Sequence, residues 1–330
     1  MALQMPLGRT GIEVSALGIG TWAWGERLWG YGSSYSDPDL QEAFRVALAE
    51  GITLFDTAEI YGWGRSEQLL GRFIAESGAT ASGDPATSDA PRPRVVVATK
   101  FMPYPWRLTR ASLLRALRRS LQRLGLQQVD LYQVHWPFPP VPADVWMDAM
   151  ADAVQAGLVR AVGVSNYGAT RMRRAYEALA RRGVVLASNQ VEYSLLHRKP
   201  ERNGVLAACR ELGVTLIAYS PLAMGVLTGK YGPDRPPADF RRGRYGRAFW
   251  AKAEPLLTTL RAIAEARGKT PAQVALNWVI CKGAIPIPGA KNARQARENA
   301  GALGWRLTDE EVVALDGAAE AVDGVEPTPR

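Results

Sequence analysis

"ITLFDTAEIYG", residues 52–62, runs largely apolar from Ile52 to Phe55, halts on the carboxylate of Asp56, and sets a phenol, Tyr61, five positions later before a glycine. A short, near-continuous apolar run reads as a strand covered on both faces, as in a parallel sheet, rather than as a half-solvated strand with strict alternation. The plain reading of its end is that Asp56 caps the following turn and Tyr61 packs at a rim with its hydroxyl in water. What decides the fold is that the pattern recurs.

Similar runs occur at 17–21 (LGIGT), 94–100 (RVVVATK), 129–135 (VDLYQVH), 160–166 (RAVGVSN), 185–191 (VLASNQV), 214–220 (VTLIAYS) and 284–289 (AIPIPG). Helical patterns separate them, such as DPDLQEAFRVALAEG, opened by an Asp37 or Asp39 cap and closed by Gly51, and VPADVWMDAMADAVQAG, closed by Gly157. Eight βα units predict an α/β fold: a single (β/α)8 barrel over residues 1–330, taken as one domain. Three stretches depart from the repeat. A Thr10-Gly11 turn between two short extended runs predicts a hairpin that plugs the bottom of the barrel. Residues 78–93, small, polar and proline-containing, read as a flexible insertion remote from the chemistry. Residues 222–250 form a Gly, Pro and Arg-rich connection too long to be a simple turn, and its length points to function. After the eighth unit, LTDEEVVALDGAAEAV begins with a Thr308 cap and reads as an extra closing helix.

The net charge of +8 raises nucleic acid as a partner, but the basic residues are scattered along amphipathic helices such as RASLLRALRRSLQRLG (110–125) and RMRRAYEALARRG (171–183). Solvated helix faces account for them, and no nucleic-acid-binding module accompanies the charge. No apolar stretch approaches a membrane span and the N-terminus lacks a secretory h-region, so a cytoplasmic location is expected. Cys209 and Cys281 fall in helical patterns without a CxxC partner, which predicts inert core thiols rather than a disulfide or a zinc site.

A (β/α)8 barrel places its active site at the C-terminal ends of the strands. There the runs end on Asp56, Lys100, His135, Ser165 with Asn166, Asn189 with Gln190, and Tyr219 with Ser220. The chain has only seven lysines and two histidines, yet one lysine and one histidine close apolar runs; His197 lies in a polar segment and reads as surface. Asp56, Lys100 and His135 sit on adjacent strands with Tyr61 on the loop above. An ammonium beside a phenol favours phenolate and lowers its pKa, the carboxylate keeps the buried ammonium ionised, and a neutral histidine can donate to an oxygen gaining charge. No metal-ligand cluster or base-activated nucleophile accompanies them. A proton donor and a polarised carbonyl lack only an electron source, which predicts a hydride carrier.

With these residues in place the chain resembles the aldo-keto reductase superfamily over nearly its whole length, on FDTAEIYG, VATK, YQVHWP, GVSN (163–166), SNQVEYS (188–194), AYSPLAMGVLTGKY (218–231) and IPGAKNARQARENA (287–300). The resemblance implies a catalytic tetrad of Asp56, Tyr61, Lys100 and His135, with Tyr61 the general acid in the reversible, NADPH-dependent reduction of aldehydes and ketones. It implies that Asp56, Ser165, Asn166 and Gln190 hold the nicotinamide end, that Tyr219 stacks on the ring, and that Thr21 and Trp22 lie beneath it. By the same resemblance Ser220, Pro221, Leu222 and the segment to Lys230 fold over the pyrophosphate, and Gly289, Lys291, Gln295, Glu298 and Asn299 take the adenosine end. Gly289 and Ala290 stand where the better known subgroup carries Lys and Ser, and the cation follows at Lys291, a candidate for the 2′-phosphate, with NADH as the alternative carrier.

GTWAWG and LWGY are most similar to the pyridoxal-reductase-like branch. Trp22, Trp24, Trp29, Trp63, Trp106 and Trp136 cluster in the loops after the first four strands, as rim packing or as an apolar slot for a small carbonyl substrate such as an aromatic aldehyde. Two competing readings are a regulatory subunit like the potassium-channel β-subunits, which bind the cofactor with little turnover, and a barrel aldolase with Lys100 as a Schiff-base amine. No partner chain is required by any motif, and the natural substrate is not encoded in them.

Overall fold

Strands and helices alternate through the computed structural model, which describes residues 4–81, 94–237, 239, 241, 245–320 and 322. Two antiparallel strands, β1 (Gln4–Pro6) and β2 (Glu13–Ser15), form the expected hairpin, its turn closed by Leu7 N donating to Ile12 O at 2.8 Å. Then come β3 (Gly18–Gly20), β4 (Leu54–Asp56), β5 (Thr80–Ala81), β6 (Arg94–Phe101), β7 (Val129–Val134), β8 (Val159–Ser165), β9 (Leu186–Glu192), β10 (Thr215–Tyr219) and β11 (Ile285–Pro286). Apart from β5, which pairs with β6, these run parallel in the order β3-β4-β6-β7-β8-β9-β10-β11. All eight expected barrel strands are present.

The ring closes where Gly20 bridges Gly289 and its N–H donates to Pro288 O at 3.0 Å. A Cβ at Gly20 would lie 2.8 Å from Ile287 O, so only glycine lets the first strand approach the last this closely. Inside the lower barrel, Leu7, Ile12 and Val14 of the hairpin region pack with Leu54, Val96, Leu131, Ala161 and Ile217. The hairpin therefore plugs the end opposite the strand C-termini, each fully buried Leu or Ile contributing roughly 1.5–3 kcal/mol.

Helices cover the outside, and Arg110–Leu124 shows why these sequences choose that state. Thr109 caps it by accepting from Ser112 N, Gly125 ends it at φ 67°, and Leu113, Ala116, Leu117, Leu121 and Leu124 form the buried stripe. Its arginines 115, 118 and 119 face water, which accounts for the local basic charge without an anionic partner. In Asp37–Ala49 the cap is Ser36, with Asp39 closing a capping box; Asp37 instead accepts from Arg65 and Arg72 at 2.7 and 2.8 Å. The closing helix Asp309–Glu320 follows Thr308 and packs on Arg247–Ala266, a helix that the long connection after β10 leads into.

Of the expected insertion at 78–93, Thr80–Ala81 pairs with Arg94 and Val95, at the end of β6 away from Lys100; residues 82–93 lie outside the described residues, as do parts of 238–244. Cys209 and Cys281 are free thiols, Cys209 pushed up to about 12 by burial. Among the described residues no helix is long and apolar enough to cross a membrane.

Candidate active site

The period-two alternation of the barrel strands carries the plug's apolar layer into a polar one at the top. Leu54 is followed two positions on by Asp56, Ala98 by Lys100, Leu131 by Gln133 and then His135, and Ala161 by Gly163 and Ser165. Parallel register sets these beside one another, with Lys100 opposite Gln133 and Ser165 opposite Gln190. Tyr61 arrives from the short turn Tyr61–Gly64 directly after β4.

Lys100 is fully buried and all three of its ammonium protons have acceptors. It is ion-paired to Asp56 Oδ1, donates to Thr57 O at 2.8 Å, and donates to Tyr61 Oη at 3.2 Å. Burial alone would lower its pKa, but Asp56 and Tyr61 outweigh that and hold it above the usual lysine value. Because Tyr61 accepts from Lys100, its own proton is left to donate outward. The sequence-based expectation of a more acidic phenol is corrected here: burial pushes the Tyr61 pKa up, the pull of Lys100 opposes this, and the charge of Asp56 adds to the rise, so the sum stays above the usual value.

His135 lies edge-on to Tyr61, ring centroids 5.8 Å apart, and burial followed by the charge of Lys100 holds it well below the usual histidine value. It is therefore neutral at pH 7, able to donate from one ring nitrogen and accept at the other. Asp56 carries a further pair of donors, one of which, Gln133, the sequence reading did not single out. Gln190 Nε2 and Gln133 Nε2 donate to its Oδ2 at 2.8 and 3.2 Å. The available signal for Gln133 was a lone amide two residues before His135 in an apolar run, hence on the same face.

Beside the tetrad, Ser165 Oγ donates to Gln190 O at 2.9 Å, Asn166 Nδ2 donates to His135 O at 3.1 Å, and Tyr219 Oη donates to Asn166 Oδ1 at 3.0 Å. Asn166 and Ser220 adopt φ of 63° and 52°, and Ala223 and Met224 47° and 53°. With Trp63 at 56° in the turn that carries Tyr61, five non-glycine residues in the left-handed region mark a backbone held against its preference. Pro221 is buried, Leu222 half-buried and Lys230 exposed on the segment that follows. Thr21 is fully buried, its hydroxyl 3.0 Å from Asp56 O and 2.7 Å from Ser66 Oγ, so it acts as a strut beneath the site.

At the far end, Lys291 Nζ donates to Trp29 O at 2.8 Å and lies about 5 Å from the Trp29 and Tyr35 ring centres. Arg241, from the long connection, stacks over the same Trp29 and donates to Met224 O at 2.6 Å. Burial, then Arg241, then Lys230 against the opposing Asp239, push Lys291 down to about 8. Gln295 Oε1 accepts from Lys291 N at 2.8 Å, Asn299 Nδ2 donates to Gly289 O at 3.2 Å, and Glu298 pairs with Arg294 at 3.3 Å. Arg241 was not distinguishable in the sequence from the other arginines around it.

The tryptophans divide. Trp22 packs 6.4 Å from Tyr61 and 5.3 Å from Trp29, bridging the two ends of the site. Trp63 and Trp106 are 91% and 73% exposed, Trp106 stacked on Tyr104, and Trp136 stacks on Phe138. Trp24 departs from the expected slot: it is wholly buried against Phe55 and Phe73, its indole N–H donating to Ala290 O at 2.9 Å, so it presents no face to a substrate.

Known proteins resemble this chain in sequence and in fold. The model of the Aldo/keto reductase family matches residues 16–320. The chain is 47% identical over 317 residues to the chloroplastic pyridoxal reductase of Arabidopsis thaliana, covering 94% of this chain and 84% of that protein. It is 35% identical to the Schizosaccharomyces pombe aldo-keto reductase yakc [NADP(+)], covering 88% and 85%. Among solved structures, the glycerol dehydrogenase of Gluconobacter oxydans superposes with a TM-score of 0.81 at 29% identity, covering 98% of each chain. A thermostable aldo-keto reductase solved with the inhibitor epalrestat gives 0.74 at 34%, covering 96% and 99%. By sequence and by fold, the chain is an oxidoreductase belonging to the aldo/keto reductase family.

Proposed function

We propose that the chain catalyses the NADPH-dependent, reversible reduction of an aldehyde or ketone, with Tyr61 as general acid. The observation that carries the reading is the division of the Lys100 protons: one directed at Tyr61 Oη leaves that hydroxyl free to donate into the mouth of the barrel. The nicotinamide, when bound, supplies the hydride. Tyr61 gives its proton to the carbonyl oxygen, and Lys100 stabilises the phenolate this leaves. Neutral His135 donates a hydrogen bond to the same oxygen as charge develops on it.

Burial and Asp56 make Tyr61 a weak acid at rest. Donation therefore follows charge build-up on the substrate rather than preceding it. Such a complete tetrad favours turnover over the regulatory-subunit reading.

The residues fit a nicotinamide dinucleotide. Ser165, Asn166, Gln190 and Tyr219 form one amide and hydroxyl cluster beside the tetrad, suited to the carboxamide and ring. Gly289, Lys291, Gln295, Glu298 and Asn299 surround the adenosine end, where Lys291 and Arg241 gather positive charge on one indole. Arg241 is paired with Asp239, so the excess charge is that of Lys291, and it supports NADPH over NADH. Trp22, Trp63, Trp106 and Trp136 suit a flat carbonyl substrate, and the name of the Arabidopsis relative makes pyridoxal the first aromatic aldehyde to try.

The purified protein should oxidise NADPH with 4-nitrobenzaldehyde or pyridoxal. Tyr61→Phe should lose about 10²–10⁴-fold in turnover while still quenching its tryptophan fluorescence on binding NADPH. Unchanged turnover in that variant would remove Tyr61 from the acid role.

A further inference from the structure

We infer that Gln133 is a positioning residue of the site: its amide locks Asp56 Oδ2 so that Lys100 stays divided between Asp56 and Tyr61, and it steadies Gln190 at the same time. The inference rests on the acid role given above to Tyr61. Gln133 is fully buried, donates through Nε2 to Asp56 Oδ2 at 3.2 Å, and accepts at Oε1 from Gln190 Nε2 at 3.5 Å, while Gln190 itself donates to that carboxylate oxygen at 2.8 Å. One oxygen of Asp56 thus faces the ammonium and the other faces two neutral donors. A carboxylate free to rotate would offer both oxygens to Lys100 and draw it away from Tyr61.

The neighbouring strands make room for this amide. Gly163 pairs with Gln133 across β7 and β8, and a Cβ there would lie 3.1 Å from Gln133 Cγ and 2.3 Å from Ser188 Oγ. A side chain at 163 would clash first with Ser188 and would also press on Gln133. The groups facing Gln133 that bear charge or titrate are Asp56 on β4, Lys100 on β6 and, through Lys100, Tyr61 and His135. The β8 and β9 side contributes Gly163, Ser188 and Gln190, which do not titrate in the working range.

Two substitutions separate positioning from packing. Gln133→Met keeps length and volume but removes donor and acceptor; turnover with 4-nitrobenzaldehyde should fall about tenfold, and NADPH, titrated by fluorescence quenching, should bind more weakly because Gln190 loses a partner. Gln133→Glu is near-isosteric, and its protonated carboxyl can donate to Asp56 as the amide does. A second buried carboxyl beside Asp56 resists ionisation, so this variant should approach wild-type kcat in acid. It should then lose activity along a new limb as the pH rises, because the introduced carboxyl, once ionised, both repels Asp56 and competes for Lys100.

A Gln133→Glu variant whose pH profile runs parallel to wild type, whatever its melting temperature, overturns the inference. So does a Gln133→Met variant with wild-type kcat and NADPH affinity. If wild type itself reduces no carbonyl across a broad panel, the proposed function fails first, and the two failures stay distinct.

Discussion

The ammonium of Lys100 lies 3.2 Å from the phenolic oxygen of Tyr61 and 4.8 Å from the centre of its ring, in a barrel mouth where Lys100 is fully buried and Tyr61 half-buried. Lys100→Met removes this contact and leaves Asp56 with one oxygen unpaired in a buried site. Carbonyl reduction should fall by about 10²-fold or more, and stability by roughly 3–5 kcal/mol, the usual result of breaking one side of a buried pair. Because Lys100 is held above its ordinary value of 10.5, its contribution to stability is fully present below about that pH and is lost as the pH rises through the still higher folded-state value. Urea melts in steps from pH 7 to pH 11 should show a gap between wild type and variant that holds up to about pH 10.5 and narrows above it. A constant gap between them would contradict the assignment.

His135 carries the opposite dependence. Its folded-state pKa lies well below 6.5, so the unfolded chain takes up a proton that the folded one refuses as acid is added. The stability this represents is fully present above about pH 6.5 and fades as the pH drops below that. His135→Gln should be less acid-sensitive than wild type in a denaturation series from pH 7 to pH 5, while losing turnover because it no longer presents a ring N–H to the carbonyl oxygen. An acid sensitivity identical to wild type would show that another group sets it.

The elements that were legible in the sequence are those whose residues answer to local rules. Runs such as Val95–Ala98 state their own burial, and Asp56, Lys100 and His135 stood out because charge or a rare residue type ended an apolar run. Gln133 was overlooked because a neutral amide in a strand breaks no local rule; its meaning lies in Asp56 and Gln190, 77 and 57 positions away. Trp24 was misplaced for the converse reason: it shares a loop with Trp22, yet contact with Phe55 and Phe73 turns it inward. The pKa of Tyr61 likewise depended on a sum of burial, Lys100 and Asp56 that spacing does not give.

Trp106 tests the aromatic rim. It is 73% exposed and stacks on Tyr104 with ring centres 4.7 Å apart, so its removal should barely alter folding. Trp106→Ala should raise KM for an aromatic aldehyde several-fold, consistent with loss of a stacking partner worth roughly 0.5–1.5 kcal/mol, and leave kcat within about twofold because the tetrad is untouched. KM for a short aliphatic aldehyde should hardly move. Equal effects on both substrates would mean that Trp106 shapes the loop instead of touching the ligand.

Lys291 gives the sharpest test of cofactor choice, because its pKa of about 8 places its charge change within easy experimental reach. Burial, Arg241 and Lys230 depress it, so in the free protein it is mostly cationic at pH 7 and mostly neutral at pH 9. A 2′-phosphate binds the cation and not the amine, so NADPH affinity should weaken as the pH rises through about 8 while NADH affinity stays flat. Lys291→Met should flatten the NADPH curve and cut NADPH affinity by about tenfold or more, the scale of one charge-assisted contact. Arg241→Met should weaken NADPH as well, but keep a pH dependence shifted upward, since Lys291 would lose the neighbour that depresses it. Fluorescence titrations of both cofactors at pH 6.5, 8 and 9.5 decide the matter, and parallel NADPH and NADH curves would take the 2′-phosphate away from Lys291.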